Sequence, residues 1–224
     1  MNDQTTLTTV TIDVVSDVIC PWCFLGKRRL DKAIAGLDGI PVDIRWRPFL
    51  LDGSIPKEGI PRRDYLERKF GPERMMTIHD PLKAAGEAEG IPYAFDNIAV
   101  TPNTLNAHRL LHWAHAEGIQ HRMAEHLFQL YWLEGADIGN STVLVQAAAE
   151  LGLDAAVIAR LIASEADLDL VIDEIKTAAE LGINGVPTFI IGNRYAVIGA
   201  QAPDVLKGAI VRASLAQRRP ASVE

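Results

Sequence analysis

The chain has 224 residues, of which 48% are hydrophobic, 23% charged and 6% aromatic, a composition typical of a globular domain. It excludes a disordered chain, and two cysteines are too few for a disulfide-stapled miniprotein. The net charge of −7, without a basic cluster, argues against nucleic acid and anionic membrane surfaces as partners. No apolar run approaches the roughly 18 residues that a membrane-spanning helix needs.

The first fifty residues predict a strand, a helix and a second strand. Alternating apolar residues between Val10 and Val14 are typical of a strand with one buried face. An amphipathic helix is predicted over Pro21 to Leu37, with its proline in the first turn, where a missing N–H costs nothing. A second alternating run spans Val42 to Phe49, so the chain opens with a βαβ unit.

The middle of the chain is predicted to be helical. A loop rich in Gly and Pro is expected over Leu51 to Pro61, followed by five or six helices between Arg62 and Leu181. Pro81 and Pro92 are expected to break or end helices in the first part of this block.

A hairpin and a last helix close the predicted fold. The strands are predicted over Thr188 to Ile191 and Arg194 to Ile198, with Gly192-Asn193 as the turn between them. A helix follows over Asp204 to Ala216, and Gln217 to Glu224 is expected to fray.

Both cysteines of the chain lie in the tetrapeptide Cys20-Pro21-Trp22-Cys23. The N-terminal residues, Met1 to Thr9, lack the features of a secretory signal, so we expect a cytoplasmic protein. In a reducing compartment such a pair is more often catalytic or metal-binding than structural.

Redox chemistry suits this tetrapeptide because disulfide exchange needs a thiolate nucleophile. Cys20, at the junction of loop and helix, would face the positive end of the helix dipole, which favours the thiolate. Cys23, one turn later, is near enough to attack a mixed disulfide on Cys20 and release the partner. Trp22 is expected to be exposed, where it could contact substrates.

Two other interpretations of the cysteine pair stay open, half of a zinc site and an inert buried pair. A zinc site usually needs four ligands, and the chain has no second cysteine pair. His108, His112 and His115 share a helical face without an acidic or cysteine ligand beside them, so we predict no metal. His108 is expected to pack the helical block over the active site.

A proline begins the returning strand in Gly185-Val186-Pro187-Thr188. It could be trans and mark only a strand edge. Together with the cysteine motif, however, the cis form is favoured, and it would turn the Val186 backbone towards a substrate with strand-like hydrogen bonds.

Six motifs follow one another in order: Ser16-Asp17 through Cys20-Pro21-Trp22-Cys23-Phe24-Leu25-Gly26-Lys27, Arg45-Trp46-Arg47-Pro48-Phe49, Asn103-Thr104-Leu105 with Ala107-His108-Arg109, Glu134-Gly135-Ala136-Asp137-Ile138, Gly185-Val186-Pro187-Thr188-Phe189 and Gly199-Ala200-Gln201. This ordered set, from about Val10 to Leu206, resembles the FrnE branch of the DsbA-like thioredoxin-fold family. The resemblance implies an α/β, thioredoxin-like fold with a large all-helical insertion. Residues 1–60 and 183–224 would form a discontinuous thioredoxin-like domain, and residues 61–182 the insertion.

The resemblance also implies roles for individual residues. Cys20 would be the attacking thiol, Cys23 the resolving thiol and Pro187 a cis proline. A substrate-binding groove would be formed by the following residues: Pro21, Trp22, Val186, Ala200 and Gln201.

The same superfamily includes 2-hydroxychromene-2-carboxylate isomerases and kappa-class glutathione transferases, which bind glutathione and generally carry Ser at the position of Cys20. The two thiols of this chain favour disulfide exchange with protein or small-thiol substrates. No cofactor is expected beyond the redox-active disulfide, with glutathione as a candidate co-substrate. The alternatives are a glutathione-dependent isomerase or transferase and a non-catalytic client-binding module. We expect a monomer or homodimer.

Overall fold

The computed structural model of the chain describes residues 8–218, so the predicted fraying of Gln217 to Glu224 lies almost wholly outside the described residues. The predicted βαβ opening is confirmed. Strand β1 (Val10–Ser16) and strand β2 (Val42–Pro48) are parallel, and helix α1 (Pro21–Ala35) connects them. The alternation that predicted β1 is visible in its burial, because Val10, Ile12 and Val14 are enclosed while the residues between them are partly exposed.

The predicted hairpin completes a four-stranded sheet with the order β2-β1-β5-β6. Strand β5 (Thr188–Ile191) lies antiparallel to β1, and strand β6 (Tyr195–Ile198) lies antiparallel to β5. Because β1 and β5 run in opposite directions, the start of β5 lies beside the end of β1. This pairing brings the segment before Thr188 to the loop that leads into α1.

The helical block contains more helices than the five or six predicted. Between residues 62 and 181 the structure has eight: α2 (Arg62–Phe70), α3 (Pro72–Met75), α4 (Asp80–Glu89), α5 (Leu105–Ala116), α6 (Gln120–Trp132), α7 (Ser141–Glu150), α8 (Ala155–Ala163) and α9 (Leu168–Glu180), with a 3₁₀ turn at Phe95–Asn97. Helices α2 to α4 are short and highly charged, so they present too few apolar positions to make a periodic pattern.

The structure also differs from the prediction at Pro81 and at the end of the predicted loop. Pro81 lies in the first turn of α4 and therefore begins a helix, which corrects the expectation that it breaks one. Pro92 follows the end of α4, as expected. The predicted loop over Leu51 to Pro61 ends in a strand, because β3 (Ile60–Pro61) pairs antiparallel with β4 (Val100–Thr101). Two-residue strands are too short to show alternation.

Helix α10 (Pro203–Arg218) packs against α1 and the sheet, whereas α5, α6 and α9 contact β2. The core is continuous between the sheet and the helical block. Phe24 of α1 stacks on Phe128 of α6 with ring centroids 5.2 Å apart, and Trp46 of β2 meets the same ring at 5.8 Å. The division into two domains stays a prediction.

Within residues 8–218, the helices lack the combination of length and apolar character needed to span a membrane.

Candidate active site

The local sequence places Cys20 directly at the start of α1. Its backbone is extended, with φ −92° and ψ 114°, and its N–H donates to Asp17 O at 3.0 Å, which closes the turn after β1. Pro21 is the first helical residue, and Cys23 N donates to Cys20 O at 3.0 Å. The first turn contains no acidic residue, so no carboxylate of α1 itself opposes the positive end of the helix dipole at Cys20.

Both thiols are free and buried, with Cys20 3% and Cys23 1% exposed. Burial raises the pKa of Cys23 well above its usual range, and a hydrogen bond and the charge of Cys20 raise it further. Cys23 is therefore a protonated, enclosed thiol at neutral pH. Because both residues are almost fully buried, it is the position of Cys20 at the start of α1 that favours it as the attacking thiol.

The segment before β5 lies against the first cysteine. The Val186–Pro187 peptide bond is cis, and Val186 O lies 3.7 Å from Cys20 Sγ, a distance at which the thiol can donate to the carbonyl. Pro187 is buried, Val186 is partly exposed, and Trp22 is 40% exposed, as predicted. A disulfide-bearing chain that reached Cys20 would therefore also meet the Val186 backbone and the indole of Trp22.

Gly26 allows α1 to approach this segment closely. A Cβ atom on Gly26 would lie 2.8 Å from Pro187 Cγ, closer than packed carbon atoms approach, and a tight 3.1 Å from Phe189 Cζ. The residue lies three positions after Cys23 and so on the same face of the helix. Sequence reasoning placed Gly26 in the recognised motif but not in the site; its signal is the glycine inside an amphipathic helix.

The Ala200-Gln201 turn is connected to the site from two directions. Arg29 Nη1 donates to Ala200 O at 2.6 Å, and Gly199 N donates to Pro187 O at 2.8 Å. Gln201 is exposed, with its side-chain amide donating to Ile198 O at 2.9 Å. Hydrogen bonds therefore link the turn both to α1, which contains the cysteines, and to the cis proline next to Val186.

Two aromatic residues of the helical block hold the loop that contains the cysteines. Tyr93 Oη donates to Pro21 O at 2.7 Å, and Trp132 Nε1 donates to Val18 O at 3.1 Å. Burial raises the pKa of Tyr93, followed by the effects of Cys20 and Cys23, so its phenol stays a donor. Sequence reasoning missed Tyr93, which lies outside the helices with a periodic pattern.

His108 packs α5 over the same loop, as expected. Its Nε2 lies 3.0 Å from Phe49 O and 3.6 Å from Asp17 Oδ1. The enclosed Asp17 carboxylate also accepts from Leu51 N at 2.7 Å and Ile19 N at 3.3 Å. The turn before the cysteines is thus anchored by its own carboxylate. Across the described part of the chain, no three His, Cys, Asp or Glu side chains are grouped to hold a metal ion.

The chain is similar to a known protein family and to several solved structures. Residues 11–211 match the family model for the DSBA-like thioredoxin domain. The structure is similar to the crystal structure of the probable DsbA oxidoreductase SCO1869 from Streptomyces coelicolor, with a TM-score of 0.86 and 30% identity over 96% of this chain and 94% of that one. The structure of a 2-hydroxychromene-2-carboxylate isomerase matches with a TM-score of 0.70 and 18% identity, over 90% of this chain and 95% of that one. The cytosolic disulfide reductase DsbM from Pseudomonas aeruginosa, solved with GSH, matches with a TM-score of 0.63 and 21% identity, over 92% of this chain and 99% of that one.

Proposed function

The chain belongs to the DsbA-like thioredoxin family, as its motifs predicted, and we propose that it exchanges disulfides through Cys20 and Cys23. The family also confirms the predicted α/β, thioredoxin-like fold class and the predicted enzyme class, a thiol–disulfide oxidoreductase. One observation carries the proposal. The Cys20 thiol stands at the start of α1 beside Val186 O, with a second, enclosed thiol one turn behind it.

In the proposed mechanism the Cys20 thiolate attacks one sulfur of a substrate disulfide. A bond forms between Cys20 and that sulfur, and the other half of the substrate leaves as a thiolate. Cys23 then attacks Cys20 Sγ, which forms the Cys20–Cys23 disulfide and releases the second thiolate. The substrate gains two electrons and the cysteine pair loses them; the same steps in reverse oxidise a dithiol.

The proposed substrates are disulfides or thiols of proteins and of small molecules such as glutathione. Trp22 supports this class because an exposed indole offers apolar contact area beside the thiol. The Val186 backbone would pair with the extended substrate, and Pro21 and the Ala200-Gln201 turn would line the groove. The GSH in the DsbM structure supports glutathione as co-substrate. A cytoplasmic location and a monomeric or homodimeric state stay predictions.

The fold likeness to a 2-hydroxychromene-2-carboxylate isomerase keeps one alternative under test. A glutathione-dependent isomerase or transferase would use the Cys20 region only to position glutathione. Its activity on an organic substrate would survive the loss of Cys23, whereas disulfide exchange needs both thiols. A non-catalytic client-binding module would protect clients equally well without either cysteine.

The test is insulin-disulfide reduction by the wild type and by each single cysteine variant. Cys20→Ser is expected to abolish turnover, and Cys23→Ser is expected to trap mixed disulfides that a reductant releases. Gly36→Ala serves as a control substitution at the other end of α1, where an added Cβ meets only ordinary contacts of 3.6 Å. Retained turnover in Cys20→Ser would refute the proposal.

A further inference from the structure

Ser16 ends β1 with a buried hydroxyl that has no well-formed hydrogen bond among the described residues. The residue is 3% exposed, and its backbone is held in place because Ser16 O accepts from Phe49 N at 3.0 Å. A buried hydroxyl without a partner is unfavourable and uncommon in folded proteins. An explanation for this hydroxyl must therefore come from its neighbours.

The informative neighbour is the sulfur of Cys23. Burial is the largest influence on this thiol and raises its pKa, as does Cys20. Two groups oppose that effect and lower the pKa of Cys23: the Ser16 hydroxyl and the backbone of Asp17. Ser16, the last residue of β1, and Asp17 after it thus present polar groups to the same enclosed sulfur, although the hydroxyl forms no regular hydrogen bond with the neutral thiol.

The resolving step is the point at which such groups matter. Cys23 has to become a thiolate before it can attack Cys20, and a buried anion is stabilised by donors that already point at it. A hydrogen bond to a charged sulfur is stronger than one to a neutral thiol. The Ser16 hydroxyl therefore gains a partner in the state that reacts.

We propose that Ser16 is a catalytic residue of the resolving step, its hydroxyl donating a hydrogen bond to the Cys23 thiolate as that thiolate attacks the mixed disulfide. The inference rests on the proposed function. The Cys23 proton passes to water, the Cys23–Cys20 bond forms, and the bond between Cys20 and the substrate sulfur breaks. The substrate leaves as a thiolate and takes up a proton from water, so charge and electrons balance.

The loss of this hydrogen bond has a characteristic pH dependence. In Ser16→Ala the thiolate population of Cys23 at neutral pH should fall about tenfold. The more basic thiolate is a better nucleophile and recovers about threefold of that loss, so resolution should slow about threefold. Towards alkaline pH the difference should vanish or reverse. A merely structural defect would slow the step by the same factor at every pH.

The experiment separates the two halves of exchange. Reduced protein is mixed with oxidised glutathione, quenched with acid at increasing times, and analysed by mass spectrometry for the mixed disulfide and the closed Cys20–Cys23 disulfide. Ser16→Ala should form the mixed disulfide at the wild-type rate but close it more slowly near neutral pH. Ser16→Thr keeps the hydroxyl and should close it at the wild-type rate. Should Ser16→Ala not fold, Ser16→Gly removes the same group.

An unchanged pH profile of closure in the hydroxyl-free variant would overturn the inference, as would a uniform slowing across pH. Failure of the wild type to form any mixed disulfide would instead refute the proposed function. The hydroxyl can then still be tested by titrating the ultraviolet absorbance of the Cys23 thiolate in Cys20→Ser. Adding Ser16→Ala to that background should move the titration to higher pH, and coincident curves would overturn the inference.

Discussion

The sulfur of Cys20 lies 3.7 Å from the carbonyl oxygen of Val186, although 166 positions separate the two residues in the chain. The contact depends on the antiparallel pairing of β1 with β5, which places the start of the second strand beside the end of the first. The same pairing sets the cis proline against α1. The candidate site is therefore a product of sheet topology as much as of the cysteine motif.

Gly26→Ala tests the close packing behind the cysteines. The new Cβ would lie 2.8 Å from Pro187 Cγ, so Pro187 or α1 must shift. We expect a loss of stability of about 1–3 kcal/mol and a lower rate of insulin reduction. Urea unfolding and the insulin assay measure both. Gly36→Ala, at the other end of α1, should be tolerated, and equal effects of the two substitutions would contradict the packing argument.

Tyr93→Phe tests the link between the helical block and the loop that contains the cysteines. The variant loses the hydrogen bond of 2.7 Å to Pro21 O and leaves that carbonyl without this donor. The expected loss in the free energy of unfolding is about 1 kcal/mol, and the reduction potential should shift because the start of α1 is less firmly held. An unchanged potential would show that Tyr93 acts only on stability.

Arg29→Ala tests the Ala200-Gln201 turn as part of the substrate groove. Arg29 holds Ala200 O at 2.6 Å and Glu89 at 2.8 Å, whereas Lys32 contacts Glu89 at 2.6 Å. Lys32→Ala is therefore the matched control for the ion pair. We expect Arg29→Ala to raise KM for insulin about three- to tenfold with little change in kcat. A comparable rise in Lys32→Ala would place the effect in the ion pair.

His79 should make the protein sensitive to acid. Burial, and then the charges of Arg62 and Lys83, lower its pKa from 6.5 to about 4. Between these pH values the unfolded chain binds the proton and the folded protein does not, so stability falls as the pH drops from 6.5 towards 4. Because the ring is partly exposed, the wild type should lose only about 1 kcal/mol in this way.

The measurement for His79 is urea unfolding at about pH 7 and about pH 4.5, for the wild type and His79→Gln. The variant lacks the titrating ring and should lose less stability between the two conditions. Parallel losses in the two proteins would contradict the assignment of the acid sensitivity to His79.

Local patterns predicted the elements that are long or regular. Alternation in β1 and β2 and the Gly192-Asn193 turn led directly to the observed strands, because a half-buried strand and a tight turn leave a signal in neighbouring residues. The cysteine pair was found for the same reason. The helices of the block were undercounted because α2 to α4 are short and few of their residues face the core.

The residues that complete the site were beyond local patterns. Tyr93 and Pro21 are 72 positions apart, and nothing in the sequence around either predicts their hydrogen bond. The contact of Gly26 with Pro187 likewise depends on how α1 packs against the sheet. Ser16 belongs to the recognised motif, but nothing in the sequence around it predicts that its hydroxyl acts on the Cys23 thiol.

The reduction potential of the Cys20–Cys23 pair tests the central claim most directly. The protein would be equilibrated against glutathione redox buffers while tryptophan fluorescence, to which Trp22 beside the thiols contributes, follows their state. We predict a reversible two-electron transition that is lost in Cys20→Ser and in Cys23→Ser, with a midpoint that shows whether the protein mainly reduces or oxidises its partners. Two thiols that stay free across the whole range of buffers would contradict the account.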